Sequence, residues 1–156
     1  MKDNESKQFA RISLILAILV IGVFGITTYQ VIKNPQSLKN EYTIPMNFTK
    51  LEVQRTPEEK EQGLQNRQEL CNQCGMLFVW DDAQVLNFWM LNTFVPIDII
   101  YLDKDNVVKT IISKPEVNNS QKMYSSLVPV NKALEIPSKR TEELNIKVGT
   151  KLLFDY

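Results

Sequence analysis

The chain has 156 residues, 44% of them hydrophobic, which is room for one globular domain of ordinary size. Its 18 Lys and Arg balance 18 Asp and Glu, so no basic field attracts nucleic acid and no acidic tail suggests a cationic protein partner. Histidine is absent, which removes imidazole bases, Ser-His and Cys-His pairs and every His-containing metal site.

Residues 1–11 are short and polar. Ile12 to Thr28 is an uncharged apolar run, extendable to Ile32. At about 1.5 Å per helical residue it spans roughly 25–31 Å, close to a bilayer core. Residues 12–32 are therefore expected to form an uncleaved transmembrane anchor. The competing reading is a cleaved signal peptide whose apolar region ends near Val23. Lys2, Lys7 and Arg11 precede the span and Lys33 and Lys39 follow it, which places the N-terminus in the cytoplasm and the rest outside. Gly22 and Gly25 lie in this run, so no Gly-rich phosphate loop remains. Residues 33–45 are polar, with Pro35 and Pro45 near the ends, and read as a linker.

Residues 46–156 carry the domain. From Asn47 to Arg55 the chain alternates, with Leu51 and Val53 on one face and Lys50, Glu52 and Gln54 on the other: a strand with one face in a core. Thr56-Pro57-Glu58-Glu59 starts a short helix to about Gln65, with Thr56 and Glu59 as a capping box and Pro57 at the first position. Arg67 then either clamps an anion or pairs with a carboxylate. Cys71 and Cys74 are spaced for a disulfide or for thiol–disulfide exchange, but the motif precedes a strand rather than opening a helix.

Met76–Trp80, Val85–Leu91 and Ile97–Leu102 are strand-length apolar runs, broken by Asp81-Asp82 and by Asn92 to Pro96. Leu86, Phe88 and Met90 would point one way and Val85, Trp89 and Leu91 the other, as in an inner strand covered on both sides. Asp103-Lys104-Asp105-Asn106 lacks the later ligands of a calcium loop and reads as a hairpin turn into Val107–Ser113. Val130–Ile136 is another strand, Ser138–Asn145 a short helix stopped near Gly149, and Lys151–Tyr156 a closing strand. The expected architecture is mainly β (α+β): a compact antiparallel β-sandwich or barrel-like domain with one or two short helices.

Gly75-Met76-Leu77-Phe78, Phe88-Trp89-Met90, Asn92-Thr93 and Pro96-Ile97-Asp98 follow one another here. With Thr56-Pro57-Glu58-Glu59, Gly63-Leu64 and Arg67 upstream, and Tyr124, Ser125 and Leu134-Glu135 downstream, this order resembles the domain-of-unknown-function 192 family over about residues 49–155. Two positions depart from it. Leu91 stands where the family usually has a basic residue, and Ile136-Pro137 where it usually has Ala-Gly. The resemblance implies a compact, mainly β domain and no established activity.

Two acids among apolar neighbours, Asp98 and Glu135, are candidates for raised pKa values and, facing one cavity, for a glycoside-cleaving pair. The plainer reading has Asp98 bonded to the Asn92–Pro96 turn and Glu135 satisfied by Arg67 or Lys132. Trp89, with Phe88, Met90 and Tyr101, either lines a cleft whose polar contacts are Asn92 and Thr93 or belongs to the core. Arg67, Met76 and Tyr124 complete the candidate ligand contacts. The leading expectation is a membrane-tethered extracytoplasmic domain that binds a small ligand or envelope component, with no cofactor and no metal. The alternatives are a carboxylate hydrolase of saccharide or peptidoglycan-like material and a purely structural module.

Overall fold

A computed structural model describes residues 42–156; the expected anchor and most of the linker lie outside the described residues. The strands are β1 (Thr43–Pro45), β2 (Lys50–Gln54), β3 (Cys74–Gln84), β4 (Asn87–Phe88), β5 (Ile97–Leu102), β6 (Val108–Ser113), β7 (Tyr124–Ser125), β8 (Val130–Pro137) and β9 (Lys151–Leu153). Two short helices, α1 (Pro57–Gln62) and α2 (Arg140–Glu143), complete the elements. The domain is thus β-rich α+β. Its arrangement differs from a uniformly antiparallel sandwich or barrel. One five-stranded sheet, ordered β2-β3-β8-β5-β6, is flanked by two two-stranded ribbons, β1-β9 and β4-β7. Strands β2 and β3 are parallel because α1 and its following loop carry the chain back to the start of the sheet.

Pairing register assigns every side chain to a face. Met76 lies opposite Glu135, Phe78 opposite Ala133, Ile99 opposite Glu135 and Tyr101 opposite Ala133. Since side chains alternate along a strand, these residues share one face, and Leu77, Leu134, Ile136, Ile100 and Asp98 share the other. The first face packs under Leu64, Leu86, Met90, Val95 and Tyr124. The second packs under Ile44, Met46, Ile146 and Leu152. All six residues of β5 are consequently buried, which explains why its sequence, Asp98 apart, is apolar without alternation.

Two expectations need correction. Asp81-Asp82 does not end a strand: β3 runs through to Gln84, with an irregular register between Val79 and Gln84 that lets both carboxylates face solvent. The run Val85–Leu91 is not an inner strand. Only Asn87–Phe88 is strand, paired with Tyr124–Ser125 over the first face of the sheet. Leu86 and Met90 are buried there, whereas Val85 and Trp89 turn outward, each more than two-fifths exposed. By contrast, the Leu51/Val53 alternation and the turn at Asp103 stand as read. In that turn the Asp103 carboxylate accepts the N–H groups of Asp105 and Val107.

Candidate functional site

Over the first face of the sheet lies a cleft of about 260 Å³. Its floor is Phe78 and Trp80 of β3 together with Glu135 of β8. One wall is the end of α1 and the turn after it, through Gln62, Leu64 and Gln65. The other is the stretch holding Asn87, Phe88, Trp89 and Thr93.

Local sequence fixes the first wall, and backbone bonds from distant segments hold the second. Thr56 caps α1 by accepting the Glu59 N–H, and the Glu59 carboxylate returns a bond to the Thr56 N–H at 3.0 Å, so the expected capping box forms. The helix stops at Gly63, whose φ of 46° and ψ of −132° only glycine adopts readily. Gly63 lies against Phe78, and a Cβ there would be in van der Waals contact with the ring edge at 3.4 Å. The walls are tied to one another by the Asn66 N–H, which donates to the Asn92 carbonyl at 2.8 Å. The second wall is further held by Met90 N–H on the Asn119 carbonyl and Asn118 N–H on the Thr93 carbonyl.

Four aromatic rings, of Phe78, Trp80, Phe88 and Trp89, are among the lining groups. Phe88 meets Phe78 edge to face with centroids 4.9 Å apart, and Phe78 and Trp80 lie nearly parallel at 6.4 Å. The Lys60 ammonium sits 4.4 Å from the centre of the Trp80 ring. Lys60 and Glu61 bring opposite charges to the rim.

Glu135 is the unusual group. It is buried, and its Oε2 has no hydrogen-bond partner among the described residues. Burial pushes its carboxyl up to about 8, against a smaller opposing pull from the Arg67 guanidinium. At neutral pH the carboxyl is therefore protonated and presents an unmet hydrogen-bonding atom beside the cleft. The expected satisfaction by Arg67 or Lys132 does not occur. Arg67 is committed to Glu52 by two parallel bonds of 2.7 and 2.6 Å, which hold the Glu52 carboxyl down to about 2. Lys132 points to the opposite face and donates to the Lys104 carbonyl and Asn106 Oδ1.

Of the residues expected at the site, Trp89, Thr93 and Glu135 converge on the cleft. Asp98 does not: it lies opposite Ile136, one register position from Glu135, and so faces the other side of the sheet. The two carboxyls cannot act on one substrate. Nor does Asp98 serve the Asn92–Pro96 turn; it accepts the Lys114 N–H at 3.1 Å and both the N–H and hydroxyl of Thr141, pinning α2 to the sheet. Arg67 supports the site only through its charge. Met76 is buried beside Glu135 in register. Asn92 reaches Gln65 at 3.4 Å and braces the wall rather than lining it. Tyr124 packs over the first face of the sheet, its carbonyl accepting the Tyr101 hydroxyl at 2.6 Å. Cys71 and Cys74 are joined in a disulfide that closes the turn before β3.

Lys60, Gln62, Gln65, Phe78, Trp80 and Asn87 were not anticipated as site residues. One signal was available for Phe78 and Trp80. Strand alternation from Met76 puts them on a common face, two and four residues on. Nothing local marks the amides: Gln62 and Gln65 arrive with α1 and the turn after it, and Asn87 with the β4-β7 ribbon.

A model of the family DUF192, described as "Uncharacterized ACR", matches residues 40–154. Among solved structures, a protein from Sinorhizobium meliloti 1021 carrying the provisional name of transcription regulator is similar at a TM-score of 0.61 and 29% identity, over 64% of this chain and 76% of that one. A protein of unknown function from Novosphingobium aromaticivorans DSM 12444 is similar at a TM-score of 0.59 and 32% identity, over 62% of this chain and 69% of that one. No curated protein matches the chain.

Proposed function

The chain belongs to the DUF192 family, and on that premise we propose that it is a membrane-tethered, extracytoplasmic β domain that holds a small ligand in the cleft above Glu135 without turning it over. The observation that carries this reading is the unmet, buried Glu135 Oε2 beside an aromatic-lined opening. Leaving such an atom unpaired costs about 1–3 kcal/mol, a cost a bound partner would remove. The aromatic walls and a few convergent polar groups are the ordinary make-up of a small-ligand site. Binding rather than hydrolysis is favoured because Asp98 faces away and the other lining acid, Glu61, is exposed on the rim. The uncharged run Ile12–Thr28 supports the tether, and the Cys71–Cys74 disulfide supports an oxidising compartment. A nucleic-acid role, as the provisional name of the Sinorhizobium relative suggests, gains no support from a chain whose 18 basic residues are matched by 18 acidic ones.

A thermal-shift screen of small molecules on the full chain tests the reading. Compounds that raise the melting temperature should lose most of that effect in Trp89→Ala and Phe88→Leu. They should keep it in Val148→Ala, at an exposed position not among those lining the cleft. Hits indifferent to the first two substitutions would place the site elsewhere.

A further inference from the structure

Three features of the cleft bear on the charge of what it accepts. Among the residues lining it, one lysine stands against two glutamates, so the lining is net negative by one charge whenever Glu135 ionises. Four rings, those of Phe78, Trp80, Phe88 and Trp89, bring π-faces and edges to a small volume. One of those faces already holds a cation, because Lys60 places its ammonium over Trp80 at 4.4 Å.

The other charged and titratable groups around Glu135 are already engaged. Arg67, from the loop after α1, is spent on Glu52 of β2. Tyr101 of β5 donates its hydroxyl to a carbonyl. On α1, Lys60 sits on Trp80 and Glu61 stays at the rim. No cation of the described residues is bonded to Glu135 Oε2.

We propose that the cleft takes the ammonium head of a small organic cation, with Glu135 as its counter-ion and the rings of Phe88, Trp80 and Trp89 around it. This deepens the ligand-binding reading and rests on it. Entry of the cation ionises the carboxyl: the Glu135 proton leaves to solvent, and the carboxylate pairs with the ammonium in a poorly solvated setting where such a pair is strong. Nothing is oxidised and no covalent bond to carbon changes. Because the free carboxyl holds its proton up to about pH 8, each cation bound below that pH releases one proton. Affinity therefore rises about tenfold per pH unit between pH 6 and 7 and levels off above pH 8.

Tryptophan fluorescence reads the cleft directly, since both tryptophans of the chain line it. The full chain is titrated with choline and n-butylammonium, and with 3,3-dimethylbutan-1-ol as the uncharged isostere of choline. At pH 8.5 the ammonium probes should saturate at concentrations at least tenfold below the alcohol, and the gap should close by pH 6. Glu135→Gln, of the same size and neutral, should bind the alcohol as before and the ammonium probes at least tenfold more weakly, without pH dependence. Lys60→Gln, which removes the competing charge, should bind them more tightly. The wild-type pH profile stands even if the glutamine variant fails to fold. Preference for the alcohol at pH 8.5, or ammonium binding that tightens on acidification, overturns the proposal. If the alcohol alone perturbs the emission, the cleft binds but not cations. If neither charge class does so at any pH, the ligand-cleft reading falls with it.

Discussion

Glu135 makes folding pH-dependent in a direction opposite to most surface acids. Its carboxyl titrates near 4.5 when exposed and near 8 when folded, so the folded chain holds a proton that the unfolded chain has lost over the interval between. Stability is fullest below about pH 4.5, declines as pH rises through that window and is level above 8. The total is on the order of a few kcal/mol. Glu135→Gln should remove this slope, leaving the variant more stable than the wild type at pH 8 and nearly equal at pH 4.5; urea denaturation across that range reads the difference. The Glu52–Arg67 pair slopes the other way. Glu52 is held near 2, so its contribution is present above about pH 4.5 and is lost as pH falls toward 2. Both side chains are partly exposed, which limits the pair to about 1 kcal/mol. Arg67→Met should cost that much near pH 6. It should also raise the Glu135 pKa further, because the guanidinium pulls it down; carboxyl chemical shifts against pH follow both.

At the scale of elements, the cleft depends on where α1 ends. Gly63 turns the chain in a conformation that a side chain strains, and its Cβ would come into contact with the Phe78 ring that floors the cleft. Gly63→Ala should therefore cost about 1–3 kcal/mol and weaken ligand binding, while Gly149→Ala, with open space around it, pays for its positive φ alone. A comparison of melting temperature and affinity in the two variants separates backbone strain from damage to the wall. This helix was legible beforehand because capping is local chemistry: Thr56, Pro57 and Glu59 announce it within four residues. The Leu51/Val53 alternation was legible for the same reason. Asp81-Asp82 misled because a charged pair ordinarily breaks a strand, and the irregular register that carries β3 past it is settled by pairing with β8. The facing of Asp98 and Glu135 was likewise hidden, since it follows from the β5-β8 register, in which Ile99 meets Glu135 and Asp98 meets Ile136 across long stretches of chain. The middle run concealed its role in another way. Trp89 resembles a core residue in composition, yet the short β4-β7 ribbon turns it toward the opening, while Trp80, less conspicuous in sequence, lies on the floor.

Across the whole domain, one sheet separates two tasks. Its second face carries the Asp98–Thr141 bonds that pin α2, together with the apolar layer beneath β1 and β9. Its first face carries the aromatic cleft and Glu135. Asp98 is bonded to Lys114 and Thr141, neither of which lines the cleft with Trp89, and substitutions without shared partners combine additively to within about 0.5 kcal/mol. Asp98→Ala strands the Lys114 N–H and both Thr141 donors, a loss of about 2–4 kcal/mol by the cost of unmet buried groups. Trp89→Ala, at a ring nearly half exposed, should cost under about 1 kcal/mol of stability but most of the binding. Ligand at one hundred times its dissociation constant adds about 2.7 kcal/mol to whichever protein still binds it. Saturating ligand should therefore restore Asp98→Ala nearly to the unliganded wild type and do little for Trp89→Ala. The double variant should show the sum of the two stability losses with no rescue. Denaturation of the four proteins with and without ligand measures all of these quantities. Rescue of Trp89→Ala, or failure to rescue a folded Asp98→Ala, would mean that the sheet couples its faces and that binding is not confined to the first.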